Sequence, residues 1–166
     1  MRTARTVLAL LPLLLFAGPL AAAEVSGAAT AVDSDVIQIG GKRVLLWAIE
    51  SVERKQTCKM NGADWACWDD AMAALNKIVK SAPTVRCEQV GDPDVFGRVL
   101  GTCFVGVLNV NKEMVSQGWA VAKVNESKDY VADQAYAKDN KLGLWKGTFQ
   151  MPPEFRAAAG IFVERP

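Results

Sequence analysis

The 166-residue chain contains no histidine. That absence removes Ser-His-Asp and Cys-His triads, histidine-liganded zinc hydrolases, and nucleases that use an imidazole as general base. Any chemistry must then run on carboxylates, arginine, lysine or a bound hard cation. An excess of charge is also missing, since 19 Lys and Arg stand against 18 Asp and Glu. No global positive field gathers nucleic acid, so polyanion binding has to rely on a local patch. There is no C-x-x-C pair, which together with the missing histidines argues against zinc. No internal repeat, low-complexity run or second domain is present.

What is present begins with MRTARTVLALLPLLLFAGPLAAAEV. A basic start, a short apolar run and Ala21-Ala22-Ala23 predict a signal peptide over residues 1–23, cut after Ala23. The apolar run is too short to span a bilayer comfortably. The expected mature chain is therefore secreted or periplasmic, with no membrane span after cleavage. Cleavage removes Arg2 and Arg5 and no acid, which turns a net charge of +1 into −1. All four cysteines, Cys58, Cys67, Cys87 and Cys103, lie in the mature part. An even count in an exported chain points to disulfides, and four cysteines allow three pairings. Cys58–Cys67 with Cys87–Cys103 is favoured because each closes a local loop, worth roughly 3 kcal/mol.

Periodicity gives the elements. Gly27 to Ala31 and Val36 to Ile39 read as strands, Gly40-Gly41 as a turn, and Val44 to Ile49 as the returning strand. After a cysteine-bearing loop, Trp68 to Lys80 has helical spacing, with Ala71, Leu75, Ile78 and Val79 on one face. Asp69 and Asp70 suit the positive end of its dipole. Thr84 to Val90 and Val99 to Val105 flank GDPDVFGR as a second hairpin in which Cys87 opposes Cys103. Asn109 to Gln117 predicts a short helix ended by Gly118, Trp119 to Lys123 a last strand, and Lys128 to Asn140 an amphipathic helix. From Met151, with Pro152-Pro153, the chain reads as a tail. Five strands and three helices in this order suit an α+β fold, a five-stranded Greek-key barrel of OB type.

Five collinear blocks are more specific: VDSDVIQI, VLLWAIESVE followed by Gln56 and Cys58, DVFGRVLGTC, LNVNKEMVSQGWA, and DYVADQAYAKDNKLGLWKGTF. In order and spacing they resemble the thermonuclease, or staphylococcal-nuclease-like, family. The resemblance carries the domain over residues 24–156, leaves 157–166 as a C-terminal tail, and implies calcium-dependent phosphodiesterase ancestry. It places Asp35 and Glu50 as metal-binding carboxylates, with Ser51 offering its backbone carbonyl. Glu53 takes the place of the carboxylate that positions the attacking water, and Arg98 that of an arginine contacting the scissile phosphate. The second phosphate-contacting arginine falls on Leu45. A family threonine has become Val36, a proline Val52, and the aromatic phosphate contacts Lys123 and Asn125.

Glu50 in place of aspartate moves a carboxylate by about 1.5 Å. Calcium, with six to eight flexible oxygen ligands, tolerates such a shift. Loss of an arginine is graver, because such contacts contribute about 10³ to 10⁵ in rate to phosphoryl transfer. Arg43 shares the strand face of Leu45 about 6.6 Å away, and with Lys123 it is a possible phosphate contact. Plainer readings stand beside these. Asp33 and Asp35 can simply start a strand, and Glu50 and Glu53 can be solvated loop charges. Arg98 can pair with Asp92 or Asp94. Arg54, Lys55 and Lys59 fit a solvated loop, and the five tryptophans fit packing. The expectation is a monomeric, exported, weakened Ca²⁺-dependent nuclease of DNA or RNA. The alternative is a non-catalytic OB-fold module that binds nucleic acid or another exported polyanion, as an accessory in cell-envelope or exopolysaccharide processes.

Overall fold

The computed structural model describes residues 23–161, so nearly all of the expected signal peptide and the last five residues lie outside it. Eleven short strands and four α-helices follow one another through this span. The main sheet contains β1 (Glu24–Gly27), β2 (Ala29–Asp33), β3 (Val36–Ile39), β4 (Lys42–Leu46), β8 (Val85–Gln89) and β9 (Val99–Val105), in the order β1-β8-β9-β4-β3-β2. A two-residue β10 (Leu108–Asn109) adds to β9. β4 and β9 run parallel and the other pairs antiparallel. The architecture is mixed α+β of OB type, and its ladder runs as an open path rather than closing.

The strands form where apolar residues alternate. β9 reads buried, half-buried, buried along all seven residues, and its inward side chains meet Ile37, Val44 and Leu46 in the core. Gly40 turns the β3–β4 hairpin at φ +58°, in the left-handed region that glycine enters without a Cβ penalty. The same chain stretch then breaks at Ala48, which takes φ +60°, and continues as β5 (Ile49–Ser51). β5 leaves the main sheet to pair with β11 (Ala120–Ala122). That bend carries Glu50 and Ser51 toward the functional site, and Asn111 fixes it. Its buried side chain accepts from the Cys103 N–H at 3.0 Å and donates to the carbonyls of Trp47 and Gly101 at 2.9 and 3.0 Å.

Helix α1 (Cys67–Val79) buries Ala71, Leu75, Ile78 and Val79, the face expected from spacing, and packs on β2. Helix α2 (Val110–Ser116) is capped by Asn109, whose side chain accepts from the Lys112 N–H. Helix α3 (Val131–Asp139) follows β11. Both favoured disulfides are formed, Cys87–Cys103 across β8 and β9 and Cys58–Cys67 into the first residue of α1. Among the described residues no helix is long and apolar enough to cross a membrane.

Two sequence readings need correction. The cysteine-bearing loop contains its own hairpin, β6 (Cys58–Met60) and β7 (Ala63–Trp65), which Lys59 ties to Thr148 by two backbone hydrogen bonds. The supposed tail from Met151 is in fact a fourth helix, α4 (Pro152–Ala158). Proline at its first positions costs no hydrogen bond, because those N–H groups have no partner within a helix. The chain reaches it through a close passage at Gly118 and Gly143. A Cβ on Gly118 would stand 2.3 Å from the Leu142 carbonyl oxygen, so only glycine fits there.

Candidate functional site

The β2–β3 turn supplies the first group of side chains. Asp33 Oδ1 accepts from the Ser34 N–H and from Trp68 Nε1, both at 2.8 Å, which ties the turn to α1. Ser34 Oγ donates to the Val52 carbonyl, so the turn is also tied to the chain leaving β5. Asp35 faces the cleft and accepts from the Ser51 N–H at 3.4 Å. Burial, reinforced by the Asp33 carboxylate, pushes the Asp35 carboxyl up to about 7. Ser51 itself is buried and donates through Oγ to the Trp119 carbonyl.

A cleft of about 600 Å³ opens over this turn. Asp35, Leu45, Glu50, Ser51, Glu53, Arg98 and Lys123 all line it. The structure thus brings these seven together, while Val36, Asn125 and Arg43 are not part of the cleft lining. That arginine lines a smaller neighbouring pocket of about 150 Å³ with Arg54 and Arg98. Leu45 lies opposite Val36 in the β3–β4 hairpin, so two apolar residues meet across the strands.

The residue that sequence reasoning missed is Arg156, on α4. Its Nη2 binds Glu50 Oε1 and its Nη1 binds Glu53 Oε1, both at 2.8 Å. The Arg156 side chain is only 14% exposed, and burial by itself would lower its pKa. The hydrogen bonds and charges of Glu53 and Glu50 outweigh that and raise it above the ordinary value. Lys123 shares one of these carboxylates, lying 3.9 Å from Glu50, and is in contact with Glu126. Arg98 is held by Asp94 through Nε and lies over the Phe96 ring, which matches the plainer reading of a hairpin cation. The only signal for Arg156 in the sequence was the Pro-Pro-Glu start of a helix, and nothing local linked it to residues 103 and 106 positions earlier.

Two consequences follow for chemistry. The cleft lining holds seven carboxylates and three cations, so without a ligand it is acidic and repels a polyanion. The hard oxygens of Asp35, Glu50 and Glu53 are the right donor type for calcium. As folded, however, a guanidinium lies between two of them, and among the described residues no group of three or more Asp, Glu, His or Cys forms a metal shell. The arrangement does not fit calcium while Arg156 is in place.

Comparisons with known proteins agree with the geometry. The family described as staphylococcal nuclease homologue matches residues 43–147. The chain is also similar to the succinoglycan biosynthesis protein ExoI of Rhizobium meliloti (strain 1021). The two are 35% identical over 161 residues, which cover 95% of this chain and 82% of that protein.

Proposed function

This chain belongs to the staphylococcal nuclease homologue family, and from that premise we propose that it is an exported, non-catalytic binding module acting as an accessory in exopolysaccharide biosynthesis. One observation carries the reading: Arg156 bridges Glu50 and Glu53. Hydrolysis of a phosphodiester needs a carboxylate free to take a proton from water, and a cation that meets the phosphate as its charge builds. Here the residue in the base position is bound to a guanidinium. One clamp position holds Leu45 in place of a cation. Those losses fall on positioning and charge neutralisation, the terms on which phosphoryl transfer depends most.

Export is supported by the two disulfides and by the sequence of residues 1–23. The name of the relative supports the exopolysaccharide setting. Asp35, Glu53 and Arg98 on one cleft favour a second reading, a slow calcium-dependent nuclease that works only when Arg156 has been displaced. In that reading calcium is a visiting ligand of the cleft rather than a resident cofactor.

A paired assay separates the two. Purified residues 24–166 are tested on DNA and RNA zymograms with and without calcium, and for binding to isolated acidic exopolysaccharide by calorimetry. The expected outcome is polymer binding without cleavage. Calcium-dependent cleavage at a rate typical of enzymes, about 1 s⁻¹ or faster, would refute the binding-module reading.

A further inference from the structure

The acidic cleft leaves a question for any acidic polymer, namely where its charge goes. Beside the cleft, across a wall shared through Asp33 and Arg98, lies the pocket of about 150 Å³ lined by Val32, Asp33, Val36, Arg43, Arg54 and Arg98. The lining holds three arginines and one carboxylate, Asp33, with Asp94 paired to Arg98 beside it, and one oxygen of Asp33 already accepts from Ser34 and Trp68. We propose that this pocket binds a single carboxylate carried on a sparsely charged acidic saccharide, while neutral sugars lie along the acidic cleft. The saccharide part rests on the function proposed above; the anion site rests on the three arginines.

The arginines are arranged for such a ligand. Arg54 lies over the Trp68 ring at 4.8 Å and donates Nη2 to the Val32 carbonyl at 3.2 Å, so its plane is fixed while other N–H groups remain available. Arg98 is fixed through Nε by Asp94, which leaves its two terminal amino groups for a ligand. Arg43, exposed on β4, has no hydrogen bond or ion pair within the described residues. A guanidinium presents a planar fork that matches a carboxylate in two-point contact. Like charges brought together repel unless an anion separates them, and a pocket of about 150 Å³ has room for a carboxylate together with part of the sugar ring that carries it.

Charge spacing decides between polymers. A nucleic acid strand carries one phosphate about every 3.4 Å of helix axis in duplex form. Seating one phosphate in the pocket would press its neighbours against the seven carboxylates next door. A saccharide with one acid group per repeat meets no such penalty.

The test uses the folded chain, with sodium glucuronate as the small probe and gellan oligosaccharides, which carry one glucuronate per repeat, as the larger one. Carboxyl-reduced gellan and oligo(dT) are the controls. Binding is followed by calorimetry and by NMR of the arginine Nε–Hε signals. Arg43→Gln, at an exposed position, is expected to weaken both acidic probes about tenfold, the loss of one charge-assisted contact. Arg43→Lys should recover part of that loss, and carboxyl-reduced gellan should bind wild type more weakly than gellan binds the variant, because it loses the contacts to all three arginines. Equal affinity of wild type and Arg43→Gln for glucuronate overturns the pocket. So does oligo(dT) binding more tightly than gellan through the same arginines. If glucuronate binds through Arg43 but no exopolysaccharide does, the pocket stands and the accessory role falls. If exopolysaccharide binds and Arg43 is irrelevant, the accessory role stands and the pocket falls.

Discussion

Replacing Arg156 by glutamine removes the cation shared by Glu50 and Glu53 and leaves both carboxylates in place. The partners are well buried on one side: the Arg156 and Glu50 side chains are 14% and 10% exposed, while Glu53 is 31% exposed. Exposed pairs contribute about 0–1 kcal/mol, and loss of one partner from a fully buried pair costs about 3–5 kcal/mol. Lys123 stays 3.9 Å from Glu50 and keeps part of the balance. A cost of about 2 kcal/mol is therefore expected, which lowers the melting temperature of a domain this size by roughly 6–8 °C.

The same change should make the cleft accept calcium. In wild type the ion must displace a guanidinium held by two hydrogen bonds, so about 10 mM calcium should shift melting by less than about 2 °C. In Arg156→Gln the oxygens of Glu50, Glu53 and Asp35 face one another without it. With a dissociation constant in the extracellular range of about 10⁻⁴ to 10⁻³ M, 10 mM calcium contributes about 1.4–2.7 kcal/mol, enough to restore most of the lost melting temperature. Adding Glu50→Gln should abolish that restoration, and magnesium, which holds its own waters more tightly, should restore less. Differential scanning fluorimetry with the two ions reads all of this. If Arg156→Gln melts like wild type, or calcium shifts both proteins equally, Arg156 is not the cation of this cleft.

Leu45→Arg alone should yield no calcium-dependent cleavage of single-stranded DNA on a zymogram, because Glu53 remains bound to Arg156; robust cleavage by the single variant would contradict that order of events. Asp35, with its carboxyl at about 7 against an ordinary 3.8, keeps its proton in the folded state over a range where the unfolded chain has lost it. Its contribution to stability therefore declines as pH rises from about 4 to about 7. Asp35→Asn should be more stable than wild type in urea titrations at about pH 7.5, with the gap narrowing toward about pH 5, and a constant gap would refute the shift. Non-reducing peptide mapping should recover Cys58 linked to Cys67 and Cys87 to Cys103. Replacing the second pair by alanine should cost about 3 kcal/mol in urea, as expected for closure of a short loop.

Local pattern accounts for what the sequence revealed. The four-residue apolar repeat of α1, the Gly40-Gly41 turn and the opposition of Cys87 to Cys103 depend on neighbours within about twenty residues, and each appears where expected. The meeting of Asp35, Glu50, Glu53 and Arg98 on one cleft was legible only through collinear family blocks, since no local rule relates those positions. Arg156 was hidden for a physical reason. Its partners are brought to it by a fold that passes through Gly118 and Gly143, and two adjacent prolines look alike before a tail and at the start of a helix. Arg54 looked like a solvated loop charge in an Arg-Lys pair, and only the packing of α1 places Trp68 beneath it.

The family substitutions then take on a common sense. Val36 and Leu45 are cross-strand partners, with Val36 on the arginine pocket and Leu45 on the acidic cleft. An arginine at position 45 would add a further cation to a cleft in which Arg156 already bridges Glu50 and Glu53. It would also stand on the strand face of Arg43, adding like charge beside a pocket already lined by three arginines. With leucine and valine there, an apolar strip separates the two regions of opposite charge. The clamp that the family resemblance implies would put cations and carboxylates around one phosphate. This chain keeps both kinds of group but holds them in two adjoining places, one acidic and closed by Arg156, the other cationic and open. Such a division suits a ligand whose charge is confined to one point better than it suits a backbone that must be cut.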